Sequence, residues 1–175
     1  MHTGEIAELL DMGIGTRVEI DFVDVLSMEE GLLVGDTGRG FLCVLAENRA
    51  TDTYPARPFR VNAGAIHQYV YIGDNKTKYL SEIRPGDRLP VTDGENIRYV
   101  AVGRIKQEKR PFQRITLNTG ISATLQIADS VFIKTGIGEA GHFVDLKEGQ
   151  SILCKVEKLV ARHKGELLDE EIYEA

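Results

Sequence analysis

Short runs of apolar residues, broken every few positions by Gly, Pro, Asn or Asp, constrain the fold of this chain more than any other feature. Such runs are typical of β-strands joined by tight turns. Helix signals are scarce: Ile6, Leu9 and Leu10 predict one or two helical turns in residues 5–10, ended by the glycines that follow. We therefore predict a mainly β fold, barrel-like or made of paired antiparallel sheets of short strands, with a short N-terminal helix.

The predicted strands follow one another along the whole chain after this helix. They cover residues 17–22, 31–34, 40–46, 59–61, 65–72, 87–91, 97–108, 113–117, 122–126, 130–133, 151–160 and 166–173. Residues 1–15 are predicted to be a linker with the short helix, and residues 16–175 to be the β domain.

A weak internal repeat begins at Met12, Ile83 and Leu146. Each copy has an apolar residue, a tight turn with glycine in the fourth place and then an apolar strand. The repeat leaves two interpretations open. The domain consists of two β modules, at about 16–80 and 81–175, or the repeat is only a common way for a chain to enter a strand.

Composition limits the class of function. The chain has 175 residues, 42% of them hydrophobic, which is enough to bury a core, and its net charge of −6 argues against a nucleic-acid binder. Cys43 and Cys154 fit neither a disulfide framework nor a metal motif, so we expect a reducing, cytoplasmic setting. No signal peptide and no apolar stretch of about 20 residues is present, so no membrane role is predicted.

Other polar motifs have an ordinary structural explanation beside a functional one. Gly136–Gly141 spells G-x-G-x-x-G, but no amphipathic helix follows, so a hairpin loop is favoured over a dinucleotide site. Gly35–Gly40, GDTGRG, could bind phosphate, but it lacks the Walker lysine and a plain loop is favoured. Arg162 and His163 are interpreted as part of a polar turn. No cluster has metal-ligand spacing, and no nucleophile elbow is present.

Residues 57–70, RPFRVNAGAIHQYV, carry the strongest functional signal. Alternate residues of a strand share a face, so Arg60 and Asn62 lie opposite the apolar residues between them. The apolar parity changes after Gly64. A one-residue bulge there, or at the next residue, would bring His67 onto the same polar face.

Such a face would combine the guanidinium groups of Arg57 and Arg60 with an amide and an imidazole. Arginine binds carboxylate or phosphate with two hydrogen bonds, and histidine transfers protons near neutral pH. The face therefore predicts a site for an anionic, hydroxylated small molecule. An exposed sheet face whose arginines pair with acidic residues explains the pattern equally well. Lys76 and Lys78, on the next predicted strand, would extend the cationic face or form a solvated edge.

The motifs, taken in order, resemble the C-terminal half of dehydroquinate synthase II, the archaeal-type 3-dehydroquinate synthase family. The matching segments are GIGTRVEID, EGLLVGDTGRGF, RPFRVNAGAIHQY, KTKYLSEIRPGD, VGRIK, LQIADSV and RHKGELLDEEIYE. Two departures stand out. Leu45, Ala46 and Glu47 replace a His-Ser-Glu-like run, and Lys164 replaces an aromatic residue after His163. The N-terminal half of the family's enzymes is missing here.

The resemblance implies conversion of 2-amino-3,7-dideoxy-D-threo-hept-6-ulosonate to 3-dehydroquinate, in the shikimate route to aromatic amino acids. The reaction is an NAD-dependent oxidative deamination followed by ring closure, which makes the enzyme an oxidoreductase. NAD is the implied cofactor, and the missing N-terminal half, or a separately encoded subunit, is the implied partner and a candidate holder of NAD. A related branch makes an aminohydroxybenzoate with help from a divalent metal.

The residues carried over from matching motifs are predictions of role. They are Arg57 and Arg60 for the substrate carboxylate, Asn62 for its hydroxyl groups, His67 as acid/base, and Lys76 or Lys78 to polarise a carbonyl or aid binding. Residues that bind NAD are not assigned. The alternative prediction is a non-catalytic β module that binds an anionic metabolite or a partner chain.

Overall fold

A computed structural model of the chain describes residues 1–157, 161–163, 166–168 and 174–175. The fold is mainly β, as predicted. The strands are β1 His2–Phe22, β2 Gly31–Gly35, β3 Gly40–Leu45, β4 Arg60–Ala65, β5 Tyr69–Gly73, β6 Lys76–Tyr79, β7 Arg88–Thr92, β8 Ile97–Leu117, β9 Ser122–Gln126, β10 Phe132–Gly136, β11 Glu139–His142, β12 Ser151–Val156, β13 Ala161–His163 and β14 Glu166–Leu168. Short 3₁₀ helices cover Leu80–Glu82 and Phe143–Asp145.

Two long strands, β1 and β8, form the centre of the fold. Each has 21 residues, and they pair antiparallel along most of their length. Strand β12 pairs with both β1 and β3, and strand β7 pairs with both β8 and β2. Because β2 also pairs with β3, these six strands close into a ring, which fits the predicted barrel-like architecture. Strands β4 and β9 pair with the second halves of β1 and β8.

The predicted N-terminal helix is wrong, because residues 5–10 belong to β1. Ile6 pairs with Leu117 of β8, and Leu10 pairs with Arg114. One or two helical turns are marginal on their own, since nucleation costs more than so few hydrogen bonds return. The long ladder with β8 satisfies the same backbone groups and buries Ile6 in the core.

Two hairpins repeat the same local structure. Hairpin β5–β6 and hairpin β10–β11 are each followed by a 3₁₀ helix, a glycine turn and a strand. The turn glycines, Gly86 and Gly149, have φ of 93° and 90°. These are two of the segments that the sequence repeat marks, whereas the segment at Met12 lies inside β1. The division into two β modules stays a prediction.

A bulge in β4 changes the parity of its side chains at the predicted place. Val18 of β1 pairs with Gly64 and Glu19 pairs with Asn62, so one extra residue, Ala63, lies between the two pairs. Gly64 has φ of 90°, a conformation that favours glycine. The bulge is therefore formed by Ala63 and Gly64, and it includes the first of the two predicted positions, Gly64 and Ala65.

Candidate functional site

Charged faces of three strands meet at a small cavity. Near the cavity, every second residue of β1 (residues 17–21), β4 (60–62) and β8 (104–110) is polar or charged, and the residues between them on β1 and β4 are buried in the core. The cavity has a volume of about 120 Å³, and we call it the arginine pocket. Its charged lining residues are Arg17, Glu19, Arg57, Arg60, Lys106, Glu108 and Arg110, and its polar lining includes Asn62 and Gln126.

The lining has an excess of positive charge. Five cations and two carboxylates line the pocket, although the whole chain carries a net charge of −6. A recessed site with this balance attracts anions, because attraction between charges is stronger where water is partly excluded.

Arg60 and Asp21 form an ion pair with two hydrogen bonds beside the pocket. Arg60 Nε lies 2.8 Å from Asp21 Oδ1, and Arg60 Nη2 donates to Oδ2 at 3.2 Å. Burial alone would raise the pKa of Asp21, but the hydrogen bonds from Arg60 and Arg104 outweigh it and lower that pKa. The hydrogen bond to Asp21 raises the pKa of Arg60. Both groups are therefore charged in the folded protein.

Arg57 pairs with a buried carboxylate. Its Nη2 lies 2.6 Å from Glu47 Oε1, and its guanidinium stacks 4.7 Å from the centre of the Tyr54 ring. Burial raises the pKa of Glu47, and the charge of Arg57 only partly offsets this. Glu47 Oε2 has no hydrogen bond among the described residues.

Several polar atoms at the pocket are buried without a protein partner in the described part of the chain. They are Asn62 Oδ1, an acceptor, and the Nε atoms of Arg17 and Arg57, which are donors. Asn62 is only 3% exposed, and its Nδ2 donates to Gln126 Oε1 at 2.8 Å. Arg17 Nη1 donates to the same oxygen at 2.9 Å. Leaving such groups unpaired costs about 1–3 kcal/mol each, so this pocket suits a ligand with both donors and acceptors.

The structure brings together Arg57, Arg60 and Asn62, as predicted, but it places His67 outside the pocket lining. His67 Nε2 lies 2.7 Å from Asp36 Oδ1, which also accepts a hydrogen bond from Thr124 Oγ1 at 2.7 Å. Thr124 and Gln126 are alternate residues of β9 and share a face, about 7 Å apart along the strand. Asp36 therefore links His67 to the same face of β9 that carries the pocket residue Gln126.

The two predicted lysines lie on β6, which pairs antiparallel with β5 as predicted. Lys76 is exposed, and Lys78 Nζ lies 3.9 Å from Asp87. Neither residue lines the arginine pocket. Their position matches the alternative interpretation, a solvated sheet edge.

Four residues line the pocket that were not predicted from the sequence: Arg17, Lys106, Arg110 and Gln126. A signal was present, because GTRVEID and RIKQEKR alternate charged residues with others along predicted strands. The sequence does not show that β1, β4, β8 and β9 place these faces around one cavity, because the local spacing of residues does not determine the order of strands in a sheet.

The remaining motifs take their ordinary structural forms. Gly136–Gly141 spans hairpin β10–β11, so the predicted hairpin is confirmed and no dinucleotide helix follows it. Gly35–Gly40 connects β2 to β3. The polar turn predicted for Arg162 and His163 is wrong, because both residues belong to strand β13, and Lys164 lies outside the described residues. Within the described ranges, no group of three or more His, Cys, Asp or Glu residues could hold a metal ion. None of the helices described there is long and apolar enough to cross a membrane.

The family model and the similar proteins indicate the same family for this chain. Residues 3–175 match the model of the 3-dehydroquinate synthase II C-terminal domain. The chain is 40% identical over 173 residues to the 3-dehydroquinate synthase of Methanocella arvoryzae, covering 97% of this chain and 46% of that protein. It is 41% identical over 179 residues to that of Natronomonas pharaonis, covering 99% of this chain and 46% of that protein.

A third relative carries a different name. The 3-dehydroquinate synthase homolog of Aquifex aeolicus is 39% identical over 176 residues, covering 98% of this chain and 53% of that protein. The chain thus spans about half the length of these relatives. No solved structure matches it. The match across almost all of its length, together with the ordered motifs, shows that this chain belongs to the 3-dehydroquinate synthase II family and corresponds to its C-terminal domain.

Proposed function

We propose that this chain is the substrate-holding β domain of a 3-dehydroquinate synthase II-type enzyme. The enzyme would convert 2-amino-3,7-dideoxy-D-threo-hept-6-ulosonate to 3-dehydroquinate by oxidative deamination and ring closure, as a step of aromatic amino acid biosynthesis. The N-terminal half of the family's enzymes, or a separate subunit, would complete the active site. The two free cysteines, Cys43 and Cys154, support a reducing, cytoplasmic setting.

One observation carries the proposal: the arginine pocket combines a positive lining with buried, unpartnered donors and an acceptor. The Nε atoms of Arg17 and Arg57 would donate to the substrate carboxylate, with Arg110 and Lys106 adding long-range attraction. Asn62 Oδ1 would accept a hydrogen bond from a substrate hydroxyl. Arg60 would act mainly through Asp21, because that carboxylate already takes its Nε and Nη2.

NAD is the cofactor that the family resemblance implies, and the one literal dinucleotide motif of this chain does not fit it. Gly136–Gly141 forms a hairpin, whereas pyrophosphate binding of this kind needs a helix N-terminus. We therefore assign NAD to the partner half and derive no step of the reaction through it. Within the described chain, the proposed chemical roles are to hold the substrate and to move a proton at His67. Lys76 and Lys78 keep only a proposed role near the entrance of the assembled site.

Calorimetric measurement of ligand binding to the chain tests whether it holds the substrate while the partner half holds NAD. We expect 3-dehydroquinate to bind and NAD not to bind. Lys106→Gln and Arg110→Gln should each weaken 3-dehydroquinate binding about 3- to 10-fold, as expected for removing one charge at a partly exposed site. Arg88→Gln, at an exposed arginine outside the pocket, is the matched control and should bind like the wild type.

The outcomes separate the competing functions. Binding of neither ligand would support a non-catalytic module that contacts a partner chain instead. Mixing the chain with the family's N-terminal half should produce NADH from the amino-heptulosonate if the main proposal is right. Formation of an aminohydroxybenzoate, dependent on added divalent metal, would identify the related branch.

A further inference from the structure

The loop between β2 and β3 holds a buried acidic group that the arginine pocket does not use. Asp36, in the GDTGRG segment, has a side chain that is only 2% exposed. Its backbone N–H donates to Ser122 O of β9 at 2.8 Å, which fixes the start of the loop on the sheet. Burying a carboxylate costs free energy unless hydrogen bonds and an opposite charge compensate it.

Three side chains surround the carboxylate of Asp36. Its Oδ1 lies 2.7 Å from His67 Nε2 and 2.7 Å from Thr124 Oγ1, and its Oδ2 lies 3.2 Å from Arg114 Nε. Burial alone would raise the pKa of Asp36, but the hydrogen bonds from His67 and Thr124 and the charge of Arg114 outweigh it and lower that pKa. The carboxylate is therefore ionised and can only accept hydrogen bonds.

The backbone around His67 is held equally firmly. The side chain of Gln68, which is fully buried, donates to Ala63 O at 3.0 Å and to Ala65 O at 3.3 Å. Its Oε1 accepts the N–H of Thr124 at 2.8 Å. The bulge at Gly64 and the histidine that follows it are thus tied to β9, the strand that also carries Gln126 of the pocket.

We propose that Asp36 is a positioning residue that holds the neutral imidazole of His67 as the Nε2–H tautomer and leaves Nδ1 available as a base for the substrate. Nδ1 has no hydrogen bond with any described residue, and the His67 side chain is 47% exposed. An Nε2 that touches an acceptor-only group must donate, so in the neutral ring the lone pair is on Nδ1. Thr124 and Arg114 keep the carboxylate in place.

The proton transfer for which His67 would be positioned rests on the proposed function. An O–H or C–H bond of the polyhydroxylated carboxylate breaks, its electron pair stays on the substrate, and the proton forms the Nδ1–H bond of His67. The resulting imidazolium is stabilised by the charge of Asp36. The imidazolium then transfers the proton from Nδ1 to a substrate oxygen, which restores the neutral ring.

Histidine NMR on the 175-residue chain tests the proposal without any ligand. The chain has four histidines, and a His67→Gln variant identifies the signals of His67. We expect the neutral ring to be the Nε2–H tautomer, with an N–H proton protected from exchange although the side chain is half-exposed. Asp36→Asn should give mixed tautomers or a rapidly exchanging proton, whereas Asp52→Asn, at an exposed position, should change neither.

Two NMR results would contradict the proposal. An Nδ1–H tautomer in the wild type, or an N–H proton that exchanges as fast as in a free imidazole, contradicts it even if Asp36→Asn fails to fold. In an enzyme reconstituted with the N-terminal half, Asp36→Asn should lower kcat roughly 100-fold and leave KM nearly unchanged. A rise in KM alone contradicts it, and because NMR needs no substrate, this proposal and the proposed function fail separately.

Discussion

Arg60 of β4 and Asp21 of β1 are joined by two hydrogen bonds across the strand pair, at 2.8 and 3.2 Å. Their side chains are 9% and 3% exposed. Arg60 lines the arginine pocket, so this contact occupies two of its nitrogen atoms before any ligand binds. This relationship makes Arg60 chiefly a structural residue and leaves Arg17 and Arg57 as the arginines with unpartnered Nε atoms.

Asp21→Asn should lower the free energy of unfolding by about 3 kcal/mol, because it leaves the buried Arg60 with only the more distant carboxylate of Glu19, at 3.8 Å. Urea unfolding followed by circular dichroism measures this loss. Asp24→Asn is the matched control. Its pair with Arg98 is exposed, with a separation of 3.4 Å, and its loss should stay below about 0.5 kcal/mol. Equal losses in the two variants would contradict the assignment of Arg60 to the fold.

Glu47→Gln should remove one contribution that makes the folded protein less stable as pH rises through the acid range. Burial raises the pKa of Glu47, so the folded state binds its proton more tightly than the unfolded state does. Its contribution is therefore fully present below the unfolded pKa of about 4.3 and falls as pH rises to the folded pKa. Urea unfolding from pH 4 to 7 should show wild-type stability falling relative to Glu47→Gln across this window. A difference that grows in the opposite direction would mean that Arg57 dominates.

Gly64→Ala should destabilise the fold strongly. Gly64 has φ of 90°, and an added Cβ would lie 2.4 Å from Thr124 O and 2.6 Å from Gln68 Nε2. The unfavourable backbone conformation and the clash together should cost more than about 2 kcal/mol. Gly86→Ala is the control, since Gly86 has φ of 93° but nothing within 4 Å of an added Cβ. It should lose only about 1 kcal/mol by thermal or urea unfolding, and a Gly64 loss no larger would show that the bulge is not fixed by contact with β9.

The thiols of Cys43 and Cys154 should resist alkylation in the folded protein. Both residues are fully buried, and burial raises the pKa of Cys43 to about 12 and also raises the pKa of Cys154. Thiolate is the reactive form, so burial and a raised pKa act in the same direction. Mass spectrometry after iodoacetamide treatment at pH 8 should find both unmodified until urea is added. Rapid native labelling of Cys43 would show that its strand opens.

Local chemistry accounts for what the sequence predicted well. Alternation of residues around Arg60 and Asn62 predicted a strand face, and the change of parity at Gly64 predicted the bulge that the register shows. The prediction of an N-terminal helix was wrong because the local spacing of apolar residues does not show that residues 5–10 pair with β8. His67 was separated from the arginines by its bond to Asp36, a contact between residues 31 positions apart that no local pattern contains.

The most direct test of the account is a titration of the ¹⁵N-labelled chain with 3-dehydroquinate, followed by NMR of side-chain nitrogen atoms. The arginine pocket predicts that the Nε–H signals of Arg17 and Arg57 and the side-chain amide of Asn62 shift together with one dissociation constant. Shifts confined to hairpin β5–β6, where Lys76 and Lys78 lie, or no shifts at concentrations that saturate the family's enzymes, would contradict the claim that this pocket holds the substrate.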